Sequence, residues 1–588
     1  MLSRRTLLAR GAGLVASAAT VNALPAWAQS GSKGIPPKYP TLEGERFDLT
    51  IGETSLPIGG RRANAITVNG SLPAPLLRFQ EGQTVTLAVR NTLNEGASIH
   101  WHGLLVPFEM DGVPGVSFPG IRAGETFVYR YPVRQSGTFW YHSHSGLQEQ
   151  LGLYGPMIID PAAPDPVAYD REHVIVLSDW SYLSPETMLR KLKQEGGYFN
   201  RQQLTLPGLV SSSPEERMAL KDRATWARMR MDPTDIADIT GTTYTYLLNG
   251  HSPAENWTGL FQPSERVRLR FINASAMTVF QVRIPGLPMS VVQADGENVR
   301  PVEVDEFQIS VAETYDVVVR PGQDRAFSIV AESVDRSGMA RGTLAPRIGM
   351  VADVPPLRPR PTLGMDDMGM GGMQMNEGSG GKSHSGHQMG ENKGRQPMDH
   401  SGMQMRDPTN APPGMAVGVG VDMVAPMPQD RTGHPGLGLE NVGHRVLTYR
   451  DLISLKRNPD PRPPSRSLEI HLTGNMERFM WSFDGRKFSE IVEPIRLARD
   501  ERVRVILVND TMMQHPIHLH GHFFELVNGH PGNQPLKHTV NVLPGSKLTF
   551  DLTADNPGDW AFHCHLLFHM HAGMFNVVTV RPLDGVRG

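Results

Sequence analysis

A run of alternating apolar and polar positions recurs three times along the chain, and each copy closes on asparagine. The copies are Val85-Thr-Leu87-Ala-Val89-Arg-Asn91, Val267-Arg-Leu269-Arg-Phe271-Ile-Asn273 and Val503-Arg-Val505-Ile-Leu507-Val-Asn509. Successive side chains of a strand point to opposite faces, so this period predicts a half-buried strand in each copy. The first and third copies agree further. His100 and His102 stand nine and eleven residues after Asn91, and His518 and His520 stand nine and eleven after Asn509. Gly124 and Gly137 are thirteen apart, as are Gly545 and Gly558. Five residues beyond the later glycine come His142-Ser143-His144 in one copy and His563-Cys564-His565 in the other. Matched spacing of this kind marks duplicated structural units. In the second copy the equivalent places hold Val282 and Ile284, so the unit persists without its histidines.

The pattern predicts an all-β fold of three β-sandwich domains, at 43–162, 165–353 and 440–583, with metal ligands only in the outer two. Within the middle domain, Ser213-Pro214-Glu215-Glu216 predicts a helix start and a helical insertion reaching Met231. Residues 354–435 are of another kind. They open with Pro and Arg and turn to Gly, Met, His, Asp and Ser. Met365, Met368, Met370, Met373, Met375, Met389, Met398, Met403 and Met405 lie there with His384, His387 and His400. With almost no aromatic or β-branched residue before Val417, the segment is expected to be a flexible linker with no core of its own.

Composition and the N-terminal sequence add to this picture. A chain of 588 residues has room for several domains, and 39% apolar content is ordinary for a globular protein. The net charge of -3 favours no class of partner, and no basic stripe of the nucleic-acid-binding kind is present. Ser3-Arg4-Arg5-Thr6-Leu7-Leu8, a mildly apolar stretch from Gly11 to Leu24 and Ala26-Trp27-Ala28 together predict a twin-arginine export signal over 1–28. That implies passage through the twin-arginine translocase to the periplasm, and no later stretch suggests a stable membrane span. The single cysteine, Cys564, cannot form an internal disulfide, and in an oxidising compartment a lone thiol survives when buried or metal-bound.

The histidines carry the chemistry. His100/His102, His142/His144, His518/His520 and His563/His565 are His-x-His pairs, and on a strand each pair offers two imidazoles to one side. Eight imidazoles from two domains suffice for several metal ions, although imidazole alone does not name the metal. Cys564 lies between two of them and points to the opposite face. His569 stands five residues after it and Met574 ten, and His515 lies three residues before His518. Two imidazoles, a thiolate and a weak thioether are the ligand set of a blue copper electron-transfer site. A mononuclear zinc hydrolase would leave too many histidines unused.

His100-Trp-His-Gly, His142-Ser-His, His515-Pro-Ile-His-Leu-His-Gly-His and His563-Cys-His-Leu-Leu-Phe-His-Met-His-Ala-Gly-Met resemble the four signatures of multicopper oxidases over essentially the mature chain. The resemblance implies three cupredoxin-like Greek-key sandwiches and four copper ions. His515, Cys564, His569 and Met574 would bind the type 1 copper, and His100 and His518 the type 2 copper. His102, His142, His144, His520, His563 and His565 would bind the type 3 pair. Substrate electrons would enter at type 1 and pass to dioxygen, which takes four on its way to water. Asp111 resembles the acidic residue that assists proton delivery near type 2, or serves as a turn residue in Asp111-Gly112. Many bacterial relatives carry Glu directly after the second type 1 histidine; Met570 stands there. His522 and His571 are left without a role.

Gly474-Asn-Met476-Glu-Arg-Phe-Met480-Trp-Ser-Phe-Asp-Gly485, Tyr141-His-Ser-His-Ser-Gly146 and Leu151-Gly-Leu-Tyr-Gly-Pro156 resemble the periplasmic copper-resistance protein A branch. Thioethers are soft, prefer Cu(I) and need no deprotonation. The expectation is that 365–427 captures cuprous ion, with room for further copper, and that Met476, Met480, Met512 or Met513 present it to the type 1 site. A laccase acting on phenols and a non-enzymatic copper store are the other readings. The chain is expected to be a monomer.

Overall fold

The computed structural model describes residues 40–203, 220–229, 231–370, 411–415 and 417–583. The export signal over 1–28 and the start of the helical insertion at Ser213 lie outside them, as do Met373, Met375, Met389, Met398, Met403 and Met405 and the histidines at 384, 387 and 400.

Each copy of the repeated pattern is an interior strand of its sheet. Thr84–Asn91, Val267–Asn273 and Arg502–Asn509 each pair in parallel with an earlier strand and antiparallel with a later one. Two sheets form each module: four and five strands in the first, six and five in the middle, and a sheet built on Arg502–Asn509 plus a five-stranded sheet in the last. The closing asparagine has a common task. Asn91 donates its amide to the carbonyls of Glu95 and Ile121 and accepts from the Leu93 backbone N–H. Asn273 and Asn509 repeat this with Thr278, Ile309 and Ser275, and with Met513, Val542 and Thr511. Each is buried, and its amide satisfies backbone groups at the corner where the chain leaves the strand.

The first copy alternates between buried and more open positions as expected, whereas the middle copy is buried at every residue. Its polar positions face protein, not water. Arg268 and Arg270 both pair with the buried carboxylate of Asp316, and Arg270 also reaches the Thr138 hydroxyl of the first module. A paired, hydrogen-bonded guanidinium is the form in which a charge tolerates burial.

The middle module contributes a wedge. Strands Met289–Ala294 and Glu297–Val304 form a hairpin whose turn, Asp295-Gly296, has φ of 48° and 79°, the conformation that the Asp-Gly pair favours. Its tip abuts the first-module strand Gly137–His142. A Cβ on Gly137 would stand 2.2 Å from the Gly296 carbonyl oxygen. The equivalent Gly558 is equally confined, with a Cβ there 2.4 Å from Cβ of Phe108.

Among the described residues, two helices decorate the middle module. Pro185–Gln194 starts from Ser184, whose side chain accepts from the Thr187 backbone N–H, and Leu220–Met229 lies in the predicted insertion. The described ends of the Met-rich segment are buried by sharing a core with this insertion. Leu363, Met368, Met370 and Met423 pack with Trp226, Ile236 and Met512. Unbranched thioether chains fill such irregular gaps where β-branched residues would not. Arg358 anchors the segment by pairing with the buried carboxylates of Glu306 and Glu332. Among the described residues, no helix is long and apolar enough to cross a membrane.

Candidate metal centre

Strand pairing aligns the histidines. His100–His102 pairs with Gly137–His142, placing His100 opposite His142. His515–Leu519 pairs with Gly558–Cys564, placing His518 opposite His563. The outer modules bring these strand pairs face to face. His100 and His520 have ring centroids 3.9 Å apart, as do His102 and His518. Overlapping groups of three have their ligand atoms within 4.8 Å of one another: they include His102/His142/His565 and His144/His520/His563, which join both modules, His100/His518/His520, and His100/His142/His144 within the first module.

Most of these rings have one nitrogen tied and the other open. His100 Nδ1 bonds the Asp111 carbonyl oxygen at 2.8 Å, and His518 Nδ1 the His538 carbonyl oxygen at 2.7 Å. His520 Nδ1 bonds Asp111 Oδ2 at 2.9 Å, His563 Nδ1 the Cys564 carbonyl oxygen at 2.9 Å, and His142 Nδ1 Glu149 Oε2 at 2.7 Å. By contrast, Nε2 of His100, His142, His144, His518 and His565 and Nδ1 of His102 are buried without a hydrogen-bond partner. An unpaired buried polar group costs about 1–3 kcal/mol. Six converging on one space fit a set of metal ions. Burial and mutual repulsion push most of these imidazoles well below their ordinary pKa, and His563 down to about 4. They are neutral at pH 7, with lone pairs ready for a cation.

Cys564 lies on the other face of its strand. His515 Nδ1 is 3.5 Å and His569 Nδ1 4.0 Å from its Sγ, and the two nitrogens are 3.3 Å apart. Their far nitrogens are held: His515 Nε2 by the Thr511 hydroxyl and His569 Nε2 by Asp238 Oδ2, both at 2.7 Å. Trp481 stacks on His569 with centroids 3.8 Å apart. Met574 is buried, its N–H bonded to the His569 carbonyl and its carbonyl to the Cys564 N–H. Burial raises the Cys564 thiol far above its usual range and Asp238 to about 8. A metal taken up here displaces the thiol proton.

Beside this second site is a chamber of 510 Å³. Met229, Met231, Met423, Met476 and Met512 line it, together with the carboxylates of Asp235, Asp422 and Asp510. Thr511, which holds His515, is part of its wall. Met480 and Met513, grouped in sequence with Met476 and Met512, are elsewhere. Met513 packs in the main core, and Met480 lies over Gly420.

Sequence reasoning missed Glu149, Asp238, Thr511 and His538. None of the four belongs to a histidine signature, and they reach the site through the fold. His538 groups with His102 and His518, and its only local signal is its place at the mouth of strand Thr539–Val542. His522 and His571 hold backbone carbonyls, of His520 and Gly146. Met570 packs beside Val113, Ala561 and Phe575, so no carboxylate stands at that position.

Sequence profiles described as multicopper oxidase match residues 51–164, 171–346 and 461–584. The chain is 50% identical to copper resistance protein A of Escherichia coli, covering 98% of this chain and 99% of that one. This chain is a multicopper oxidase. It is also 49% identical to copper resistance protein A of Pseudomonas syringae pv. tomato, over 95% of each chain. Among solved structures, Fet3p, a multicopper oxidase that functions in iron import, superposes with a TM-score of 0.61 over 92% of this chain and 91% of its own, at 19% identity. A Campylobacter jejuni metallo-oxidase gives 0.59 over 94% and 96%, at 19% identity. At such identities the likeness concerns the fold, and it agrees with the three cupredoxin-like sandwiches. The multicopper oxidase assignment also accounts for copper as the metal and dioxygen as the electron acceptor.

Proposed function

We propose that this multicopper oxidase holds four copper ions, in the arrangement that its four signatures imply, and that cuprous ion is its principal substrate. The observation that carries the metal reading is the set of buried, unpartnered imidazole nitrogens around one space, with a thiol and two imidazoles on the far side of the same strand. Type 1 copper belongs to His515, Cys564, His569 and Met574. Type 2 belongs to His100 and His518. The type 3 pair belongs to His102, His142, His565 and to His144, His520, His563. Copper bound at these places supplies one-electron transfer and the reduction of dioxygen to water.

The residues around the metals do the rest. Asp111 ties His520 through its carboxylate and His100 through its backbone, so it fixes two rings from different modules. We assign it the catalytic handling of protons at the cluster. Glu149 orients His142, and Asp238 orients His569, each from the side opposite the open nitrogen. Cys564 joins the two sites, because His563 and His565 flank it on the same short strand end.

Support for a cuprous substrate comes from the chamber. Thioethers match a soft monovalent cation, and the acidic wall lowers its potential energy. Thr511 connects that wall directly to His515. Export by the twin-arginine route to the periplasm, a monomeric state and further copper on the Met-rich segment complete the proposal. The test is oxygen consumption by copper-loaded protein given cuprous ion or a phenol in turn. Faster turnover with cuprous ion supports the proposal. Turnover with phenols alone indicates a laccase, and copper uptake without oxygen consumption indicates a store.

A further inference from the structure

Thr539 opens strand Thr539–Val542, is fully buried, and has no role assigned so far. Three imidazole nitrogens surround its hydroxyl. His538 Nδ1 is 3.1 Å away, His518 Nδ1 3.2 Å and His102 Nε2 3.3 Å. A hydroxyl has one hydrogen to give and two lone pairs to receive, so all three contacts are satisfied only if two nitrogens donate and one accepts. His518 Nδ1 is a donor, because it also lies 2.7 Å from the His538 carbonyl oxygen, which can only accept. Of the six open cluster nitrogens five are Nε2, and His102 alone offers Nδ1. For that nitrogen to present a lone pair, the ring hydrogen must sit on Nε2 and go to Thr539. The remaining nitrogen, His538 Nδ1, then takes the hydroxyl hydrogen.

The surroundings of His538 fit this task. Burial pushes its pKa down to about 4, so it is neutral at pH 7 with one bare nitrogen. Asp295 Oδ2 is 3.9 Å from its Nδ1, beyond hydrogen-bond reach, and faces Lys537 Nζ at 3.0 Å instead. Its Nε2 lies against Gly103 of the His100-Trp-His-Gly signature, where a Cβ would stand 2.5 Å from that nitrogen. The repeat supplies a second argument. In the first module, Asp111 offers its carbonyl to His100 of that module and its side chain to His520 of the last. In the last module, the His538 carbonyl holds His518, and the adjacent Thr539 side chain reaches His102 of the first. His100 and His518 are equivalent in the repeat, as are His102 and His520. The outer modules thus hold each other's rings by the same device, once with a carboxylate and once with a hydroxyl.

We infer that Thr539, backed by His538, is a positioning residue that commits His102 to binding metal through Nδ1 and links that ring to His518. One hydroxyl then ties a ring assigned to the type 3 pair to a ring assigned to type 2, across the seam between the outer modules. It does so from the side away from the open nitrogens, so Thr539 touches neither metal nor dioxygen. Orienting partners of this kind are worth about 10–100-fold in metal affinity. The inference rests on the reading that copper occupies the cluster.

The test is Thr539→Val, which keeps the branched shape and removes the hydroxyl, beside Thr539→Ser, which retains it. Copper-loaded proteins are titrated with a chelator, and the copper kept at the cluster is counted together with the paramagnetic spectrum of the type 2 ion. Thr539→Val is expected to hold cluster copper about tenfold more weakly or worse, with an altered type 2 spectrum and an unchanged blue centre. Thr539→Ser is expected to bind as wild type does. If Thr539→Val does not fold, His538→Leu, which takes away the acceptor, is read in the same titration against His538→Asn, whose amide oxygen can accept. Loss in the first and recovery in the second are expected. Wild-type retention and spectrum in a folded Thr539→Val would overturn the inference, as would equal losses within either pair of variants. Wild type that takes up no copper at the cluster would instead defeat the four-copper reading. Nitrogen NMR of the copper-free histidines then decides alone. A hydrogen on His102 Nε2 that exchanges faster in Thr539→Val is expected, and a hydrogen on His102 Nδ1 would overturn the assignment.

Discussion

Substituting Gly137 tests whether the middle module's hairpin locks the histidine strand in place. An alanine Cβ there would lie 2.2 Å from the Gly296 carbonyl oxygen and 2.6 Å from its Cα. Both neighbours are backbone, so the hairpin tip must retreat by roughly 1 Å, and overpacking of this kind costs about 1–3 kcal/mol. The backbone adds to this, because Gly137 has φ of 136° and side chains there are strained by about 1 kcal/mol or more. A total near 3 kcal/mol corresponds to a fall in Tm of roughly 6–12 °C for a cooperative unit of this size. Gly124 is the control. It too has positive φ, 78°, but nothing lies within 4 Å of a Cβ there. Gly124→Ala should therefore carry only the backbone cost, about 1 kcal/mol or roughly 2–4 °C. Calorimetry of the two variants with and without copper measures the difference, and Gly137→Ala is also expected to retain less copper, since its strand ends at His142. Equal Tm values for the two variants would refute the wedge.

Other expectations follow from the site. Cys564→Ser should fold and keep copper at the histidine cluster, but lose the intense red absorption of a thiolate–copper bond; a retained band would remove the type 1 assignment. Met476→Leu with Met512→Leu conserves volume, so stability should change by less than about 1.5 kcal/mol, while KM for cuprous ion rises and phenol oxidation holds; a parallel loss of both activities would show that the chamber is not specific for copper. Copper-free protein should lose stability in acid. Burial holds the cluster imidazoles below their ordinary value of 6.5, His563 at about 4, so the unfolded chain takes up protons first as pH falls. Stability is complete above pH 6.5 and declines towards pH 4, by about 1.4 kcal/mol per pH unit for each histidine involved. Denaturant midpoints across that range measure it, and copper loading should flatten the curve. A midpoint independent of pH would contradict the burial of neutral rings.

The sequence was most informative where one residue type has one geometric use. The closing asparagines predicted three equivalent strand ends, and Asn91, Asn273 and Asn509 make the same bonds in each module. The His-x-His pairs projected to one side because a strand alternates, and the groups of three formed from them. Orienting groups were not legible. Glu149 lies on the loop that follows His142, where no strand period applies, and Asp238 lies beyond the insertion, 331 positions from His569. The middle strand also departed from a half-buried pattern, since Arg268 and Arg270 look like solvent positions until Asp316 and Thr138 are placed against them. Methionine was ambiguous for a further reason. Its flexible thioether serves equally in a core or at a soft cation, and only the fold shows that Met512 does both, packing with Met368 and Met423 while lining the chamber beside Met476, whereas Met513 packs in the main core.

The separation of the histidines along the chain has a consequence in time. His102 meets Thr539 across 437 positions, and the groups His102/His142/His565 and His144/His520/His563 each draw on both ends of the polypeptide. During synthesis the early histidines therefore emerge long before their counterparts, and a nascent chain presents only half a cage. The mixed groups therefore cannot be completed before the last module has been made, and a product that ends ahead of His515 cannot hold the full cluster.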